Sequence, residues 1–145
     1  MGLNNLFLIE QQLIERVRDN MPSLKTVASA SVVSSKTDIK TLCDGVFLIP
    51  GAGDAQSQSG SVALDQQWTV IVAVRSNFDP ADIDTTAIQG GDLCAQVIQL
   101  LHDWSPTGEY FNMQFAGHGN AYFGAGYGEF PLYFNVKSVF RGLSQ

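Results

Sequence analysis

The sequence predicts an α+β fold: a single-layer mixed or antiparallel sheet of about four to five strands, with two main helices packed on one face. Three observations predict it. Two segments, 3–20 and 84–104, repeat apolar residues at helical spacing. Several shorter runs are apolar on both faces or alternate, as strands do. The order is helix, strands, helix, strands, which builds one α+β layer rather than a chain of βαβ units. The 145 residues match the size of one domain. No internal repeat interrupts them, so 1–145 reads as a single domain.

Each element has its own signal. In 3–20, Leu3, Leu6, Phe7, Ile9, Leu13, Ile14, Val17 and Met21 share one broad face, and Pro22 stops the helix. Glu10 falls inside that apolar arc, which places it at the solvent edge or beside a cation. Residues 24–33 read as a strand followed by small residues. Thr37 or Asp38 could cap a short helix through Cys43. The apolar run 45–50 reads as a strand covered on both faces. Residues 51–60, polar and rich in Gly, Ser and Gln, read as a flexible loop at the tip of a long hairpin.

The second arm, 61–75, is apolar on both faces, so it belongs at the centre of the sheet. A turn signal at 77–82 ends it. In 84–104, Ile88, Gly91, Cys94, Val97, Ile98, Leu101 and Trp104 share a face, with acids gathered at the helix start. Two last strands follow, 110–115 and 131–141. Between them lies a loop, 117–130, rich in glycine and aromatics.

Charge narrows the function classes. Charged residues are only 15% of the chain, against a typical ~25%. That scarcity fits a surface partly hidden in an oligomer. The net charge is −6 and the basic residues never cluster. Nucleic-acid binding needs a basic stripe, so direct sequence-specific binding is not expected. From Asp79 to Glu109 there is no basic residue at all, a candidate acidic surface for a cationic partner. Cys43 and Cys94 are isolated in apolar surroundings and read as small buried hydrophobes. With no signal peptide or membrane span apparent, the sequence points to folding in a reducing cytoplasm.

No catalytic, cofactor or metal site emerges. Gly51, Gly53 and Gly60, and later Gly117 to Gly128, lack the helix start that a phosphate cradle requires. His102 and His118 have no metal-ligand spacing; His102, near a helix C-terminus, sits where a partly protonated ring is favoured. Ser105, His102 and Asp103 share one turn and cannot align as a triad. Asp79, Asp82 and Asp84 lack the calcium-loop pattern. The candidate contact residues are instead Asp54, Gln56 and Gln58 on the hairpin tip, Asp79 and Asp82 in the acidic stretch, and Tyr122, Phe123 and Tyr127 in the glycine loop.

Four phrases carry a resemblance. They are the helix LFLIEQQLIERVRDNMP leading into LKTVASA, the hairpin arm QQWTVIVAVR, the helix GGDLCAQVIQLLHDWSP, and the closing strand FPLYFNVKSVFR. Together they span nearly the whole chain. In this order they resemble tail terminator proteins of long-tailed bacteriophages: the lambda-type minor tail protein U class and the tail-completion proteins of contractile-tailed phages. The resemblance implies a virion protein at the head-proximal end of the tail. It implies a homo-oligomeric ring, a hexamer, that caps the tail tube protein, stops its polymerisation and then meets a neck or head-completion protein. No enzyme activity, cofactor or membrane is implied. The acidic 79–109 stretch is compatible with lining a DNA channel. The family has no motif whose residues transfer, so the contact residues above stand on loop position and composition. The competing reading is a small ligand- or peptide-binding module that uses loop 117–130 as a lid.

Overall fold

The structure, a computed structural model, describes residues 5–33, 39–76, 85–106, 110–124 and 126–143. It is α+β, with two α-helices and a six-stranded sheet. The helices are α1 (Ile9–Asn20) and α2 (Thr85–Leu101). The strands are β1 (Thr26–Ser29), β2 (Gly45–Gln58), β3 (Ser61–Arg75), β4 (Gln114–His118), β5 (Tyr122–Gly124) and β6 (Tyr127–Arg141). The sheet runs β1-β2-β3-β6-β4, and β5 also pairs with β6. Only the β1–β2 pair is parallel; β2–β3, β3–β6, β4–β6 and β5–β6 are antiparallel.

The sheet follows from alternation on β3. Trp68, Val70, Val72 and Val74 are fully buried on one face, where α1 and α2 both pack. Across the strands, Trp68 lies opposite Pro50 and Phe134, and Val70 opposite Leu48 and Leu132. From α1 come Ile9, Leu13 and Val17, and from α2 Val97 and Leu101. Fully burying such side chains contributes about 1.5–3 kcal/mol each. The other face carries a smaller cluster of Cys43, Phe47 and Ala73. The β1–β2 crossover covers it: a parallel pair cannot be joined by a tight turn, and this one returns through two 3-10 turns, Ala30–Val32 and Ile39–Leu42.

Three polar contacts hold α1. Its N-cap makes no side-chain hydrogen bond. Instead the Ile9 N–H donates to the Tyr110 hydroxyl at 3.2 Å, which satisfies one of the donors a helix start leaves open. Arg16 donates through Nε and Nη2 to the Leu100 carbonyl, at 3.3 and 3.2 Å, and lies over the Trp104 ring. Arg18 donates to the Val27 carbonyl at 3.0 Å. One helix is thereby tied to both α2 and β1.

The structure differs from the sequence reading at five places. The first helix begins at Ile9, and Leu6 and Phe7 precede it, each 45% exposed, with the Phe7 ring edge-on to Trp68. Residues 51–58 are not loop but the outer half of β2, closed by a tight Ser59–Gly60 turn. The last-but-one strand is 114–118, not 110–115; Tyr110 makes only an isolated bridge to Ser138. Most of 117–130 is strand as well, so β6 is longer than 131–141. Finally, α2 turns its face: Ile88 is 63% exposed and Gly91 exposed, while Thr86 and Gly90 are buried. The 77–82 turn and the caps proposed at Thr37 and Asp38 lie outside the described residues.

Gly90 explains the rotation of α2. A Cβ there would fall inside the Phe130 ring, whereas one at Gly91 meets nothing within 4 Å. Adjacent glycines in one helix therefore predict opposite effects. Gly90→Ala should destabilise by about 1–3 kcal/mol through overpacking. Gly91→Ala should stabilise by about 0.5–1 kcal/mol through helix propensity. Urea unfolding of the two variants checks this, and equal effects would refute the packing of α2 on Phe130.

Candidate functional site

Two surfaces project beyond the helix-covered core. The first is a tongue made of 53–58, 61–66 and 136–141, where β2, β3 and β6 continue together from a base buried at Gln66, Val136 and Ser138. The sheet stays intact because β3 and β6 remain in register to Ser61↔Arg141, and the Gly142 N–H donates to the Gly60 carbonyl at 2.7 Å. Gly60 has φ +74°, the left-handed conformation that the tight turn requires. Asp54 and Gln56 are exposed. Asp54 lies opposite Asp65, and Asp65 opposite Lys137. Like charges directly opposite are unfavourable, and the lysine offsets them. These side chains and Gln56 line a shallow depression of about 320 Å³. Gln58 pairs with Ser61 beside the turn.

The second surface is built by the β5–β6 hairpin and α2. Tyr122 and Phe123 are 56% and 58% exposed. Tyr127 is not: it is half-buried, packs 6.1 Å from Tyr122, and joins the smaller core cluster. Phe123 stands edge-on to Phe130 at 5.8 Å. The hairpin turns through Gly126, with φ +83°. The 122–124 and 127–130 stretches are strands. Beside them lies a groove of about 260 Å³, with one wall from 118–121 and 130–132 and the other from α2 at Gly91, Cys94 and Ile98. The sequence reading missed this groove. Its signal was the i, i+3, i+7 spacing of those three residues, which reads equally well as core. Asp79 and Asp82 lie outside the described residues.

The titratable side chains are dispersed. The Phe115 N–H donates to His102 Nδ1 at 3.0 Å, and the ring docks β4 onto the end of α2. Ser105 donates to the Pro106 carbonyl rather than to His102. His118 Nδ1 lies 3.0 Å from the Gly119 carbonyl. Among the described residues no group of three His, Cys, Asp or Glu side chains could hold a metal ion, and no helix is long and apolar enough to cross a membrane. Neither Cys43 nor Cys94 forms a disulfide, and Cys43 Sγ donates to the Ile39 carbonyl at 3.4 Å.

Burial pushes the Cys94 thiol up to about 11 from 9.0. The thiolate is the reactive form, so the groove-lining cysteine should alkylate about a hundredfold more slowly at pH 8 in the native chain than in the unfolded one. The neutral thiol is the form the fold favours. Its stabilising contribution is complete below about pH 9 and is lost as the pH rises toward 11. Residue-resolved mass spectrometry after iodoacetamide treatment, with and without urea, measures the difference. Equal rates would show that the groove wall is misplaced.

No curated protein matches the chain. A family model described as phage tail terminator protein matches residues 3–144, which takes in both helices, every strand, the tongue and the groove. The chain belongs to the phage tail terminator protein family, a structural family of the virion tail.

Proposed function

We propose that the chain acts as one domain and closes into a ring of six copies on the finished tail tube. The ring ends tube polymerisation and offers its other face to a neck or head-completion protein. It works by shape and contact, without catalysis or cofactor. The observation that carries this reading is the tongue. An extended three-stranded sheet reaches past the core with exposed, mostly uncharged side chains from 52 to 57, while the family match assigns the chain to the tail. The outer edge of β2 carries Pro50, Asp54 and a register shift between Pro50 and Gly53, features that oppose open-ended strand addition. Its exposed polar side chains are suited to lie against another protein, and the tube rim is the partner that tail completion supplies.

The tongue separates the fold from the contact. Asp54 and Gln56 are exposed, so changing both to arginine should alter stability by no more than about 0.5 kcal/mol. The same variant should fail to cap tubes. Polymerising tube protein with the wild-type chain should give tubes of arrested growth, each bearing a terminal ring in negative stain. The double variant should give overgrown, unringed tubes. Tubes arrested equally by both proteins would remove the tongue from the contact.

A further inference from the structure

The groove beside α2 and the C-terminal end of β6 complement one another, yet they stand at opposite ends of the same strand. The groove is lined by Gly91, Cys94 and Ile98 of α2, and by Ala121, Phe130 and Leu132 opposite. Exposed apolar side chains extend its rim: Ile88, one helical turn before Gly91, and Phe123, edge-on to Phe130. At the far end of β6, Leu143 is 99% exposed, with no apolar surface of its own to cover it. Arg141, two residues earlier, is exposed as well. The ten residue steps from Pro131 to Arg141 span roughly 33 Å. Leu143 therefore cannot fold back into the groove of its own chain.

Charge runs the same way. From Ser76 to Val136 the sequence has no lysine or arginine. The groove lies within that stretch, with His118 the titratable side chain in its lining, and exposed Asp92 is the next residue of α2 after Gly91 at its rim. The tail end carries the exposed cations Lys137 and Arg141. We infer that the α2 groove receives Leu143 from a second copy of this chain, with Arg141 of that copy beside Asp92. Such a contact is head-to-tail, joining unlike surfaces, and repeated head-to-tail contacts close into a ring when the rotation permits. Another exposed apolar segment, Leu6 to Leu8, fits the groove less well. Its nearest charge is Glu10, of the same sign as Asp92, and like charges across an interface oppose docking. The inference rests on the ring reading and supplies the contact between neighbouring subunits.

Ring assembly, followed by light scattering and negative stain over a concentration series, tests it. Leu143→Asp removes the apolar anchor. Gly91→Leu fills the groove at a position where an added side chain meets open space. Both sites are exposed, so both variants should fold. Each should raise the concentration at which half the chains are in rings by about tenfold or more. Asp92→Arg and Arg141→Asp should each weaken assembly, and the two together should restore it. Wild-type rings matched by rings of every variant would overturn this contact and leave the ring reading standing. Disruption by Leu6→Asp with none by Leu143→Asp would replace the C-terminal tail with the N-terminal segment. A wild-type chain that stays monomeric even with tail tubes present would sink both readings.

Discussion

The pairing of β3 with β6 is the constraint on which the rest depends. Both strands are 15 residues long and run antiparallel in unbroken register from Ser61↔Arg141 to Arg75↔Tyr127. The helices cover about half of that length. One end thus becomes core, where Trp68, Val70 and Val72 meet Phe134, Leu132 and Phe130. The other end has to continue as sheet without a covering layer. A slip of one residue would turn every buried side chain of β3 toward the other face. The register is held at its centre by the largest fully buried side chain, Trp68. Its indole N–H has no hydrogen-bond partner among the described residues, and leaving a buried donor unmade costs about 1–3 kcal/mol. Packing against Phe7, with ring centroids 6.4 Å apart, and against the cross-strand neighbours offsets it.

The helices are positioned by polar contacts that apolar patterning does not specify. The α2 C-terminus is closed by Asp103 in the left-handed conformation, φ 63°, a usual way to end a helix. Asp103 N–H and Trp104 carbonyl then exchange bonds with Met113 at 2.7 and 2.9 Å. Those bonds and His102 place the chain entering β4. Arg16 reaches the same region from α1 and takes the Leu100 carbonyl, one of the acceptors a helix end leaves open. The C-terminal turn of α2 is therefore the junction where both helices and the sheet edge are locked together.

The glycines of the described residues have structural roles. Gly90 admits the Phe130 ring, Gly60 and Gly126 make tight turns, and Gly53 stands by the irregularity in β2. Each serves close packing or backbone conformation. The aromatics of the glycine-rich stretch divide accordingly. Tyr127 turns inward to the smaller cluster, while Tyr122 and Phe123 remain outside on the short β5.

Much of the fold is legible in the sequence because burial imposes periodicity. Both helices, the central position of 61–75, the apolar run at 45–50 and the hairpin between them all follow from spacing that packing requires. The limits of that reading are equally physical. Residues 51–58 look like loop because a strand with no covering layer needs no apolar alternation; only pairing with β3 makes them strand. The 117–130 segment hides its strands for a related reason, since glycine tolerates strand and turn alike and only β6 selects between them. The orientation of α2 was undecidable from spacing, because Ile88 is as apolar as any core residue, and the Phe130 ring beneath Gly90 sets the rotation. The sequence by itself determined the fold class, the charge-poor surface and the family likeness, all of which are sums over many residues. Tertiary structure decided which apolar residues stay outside, because that depends on which face a neighbouring element leaves uncovered.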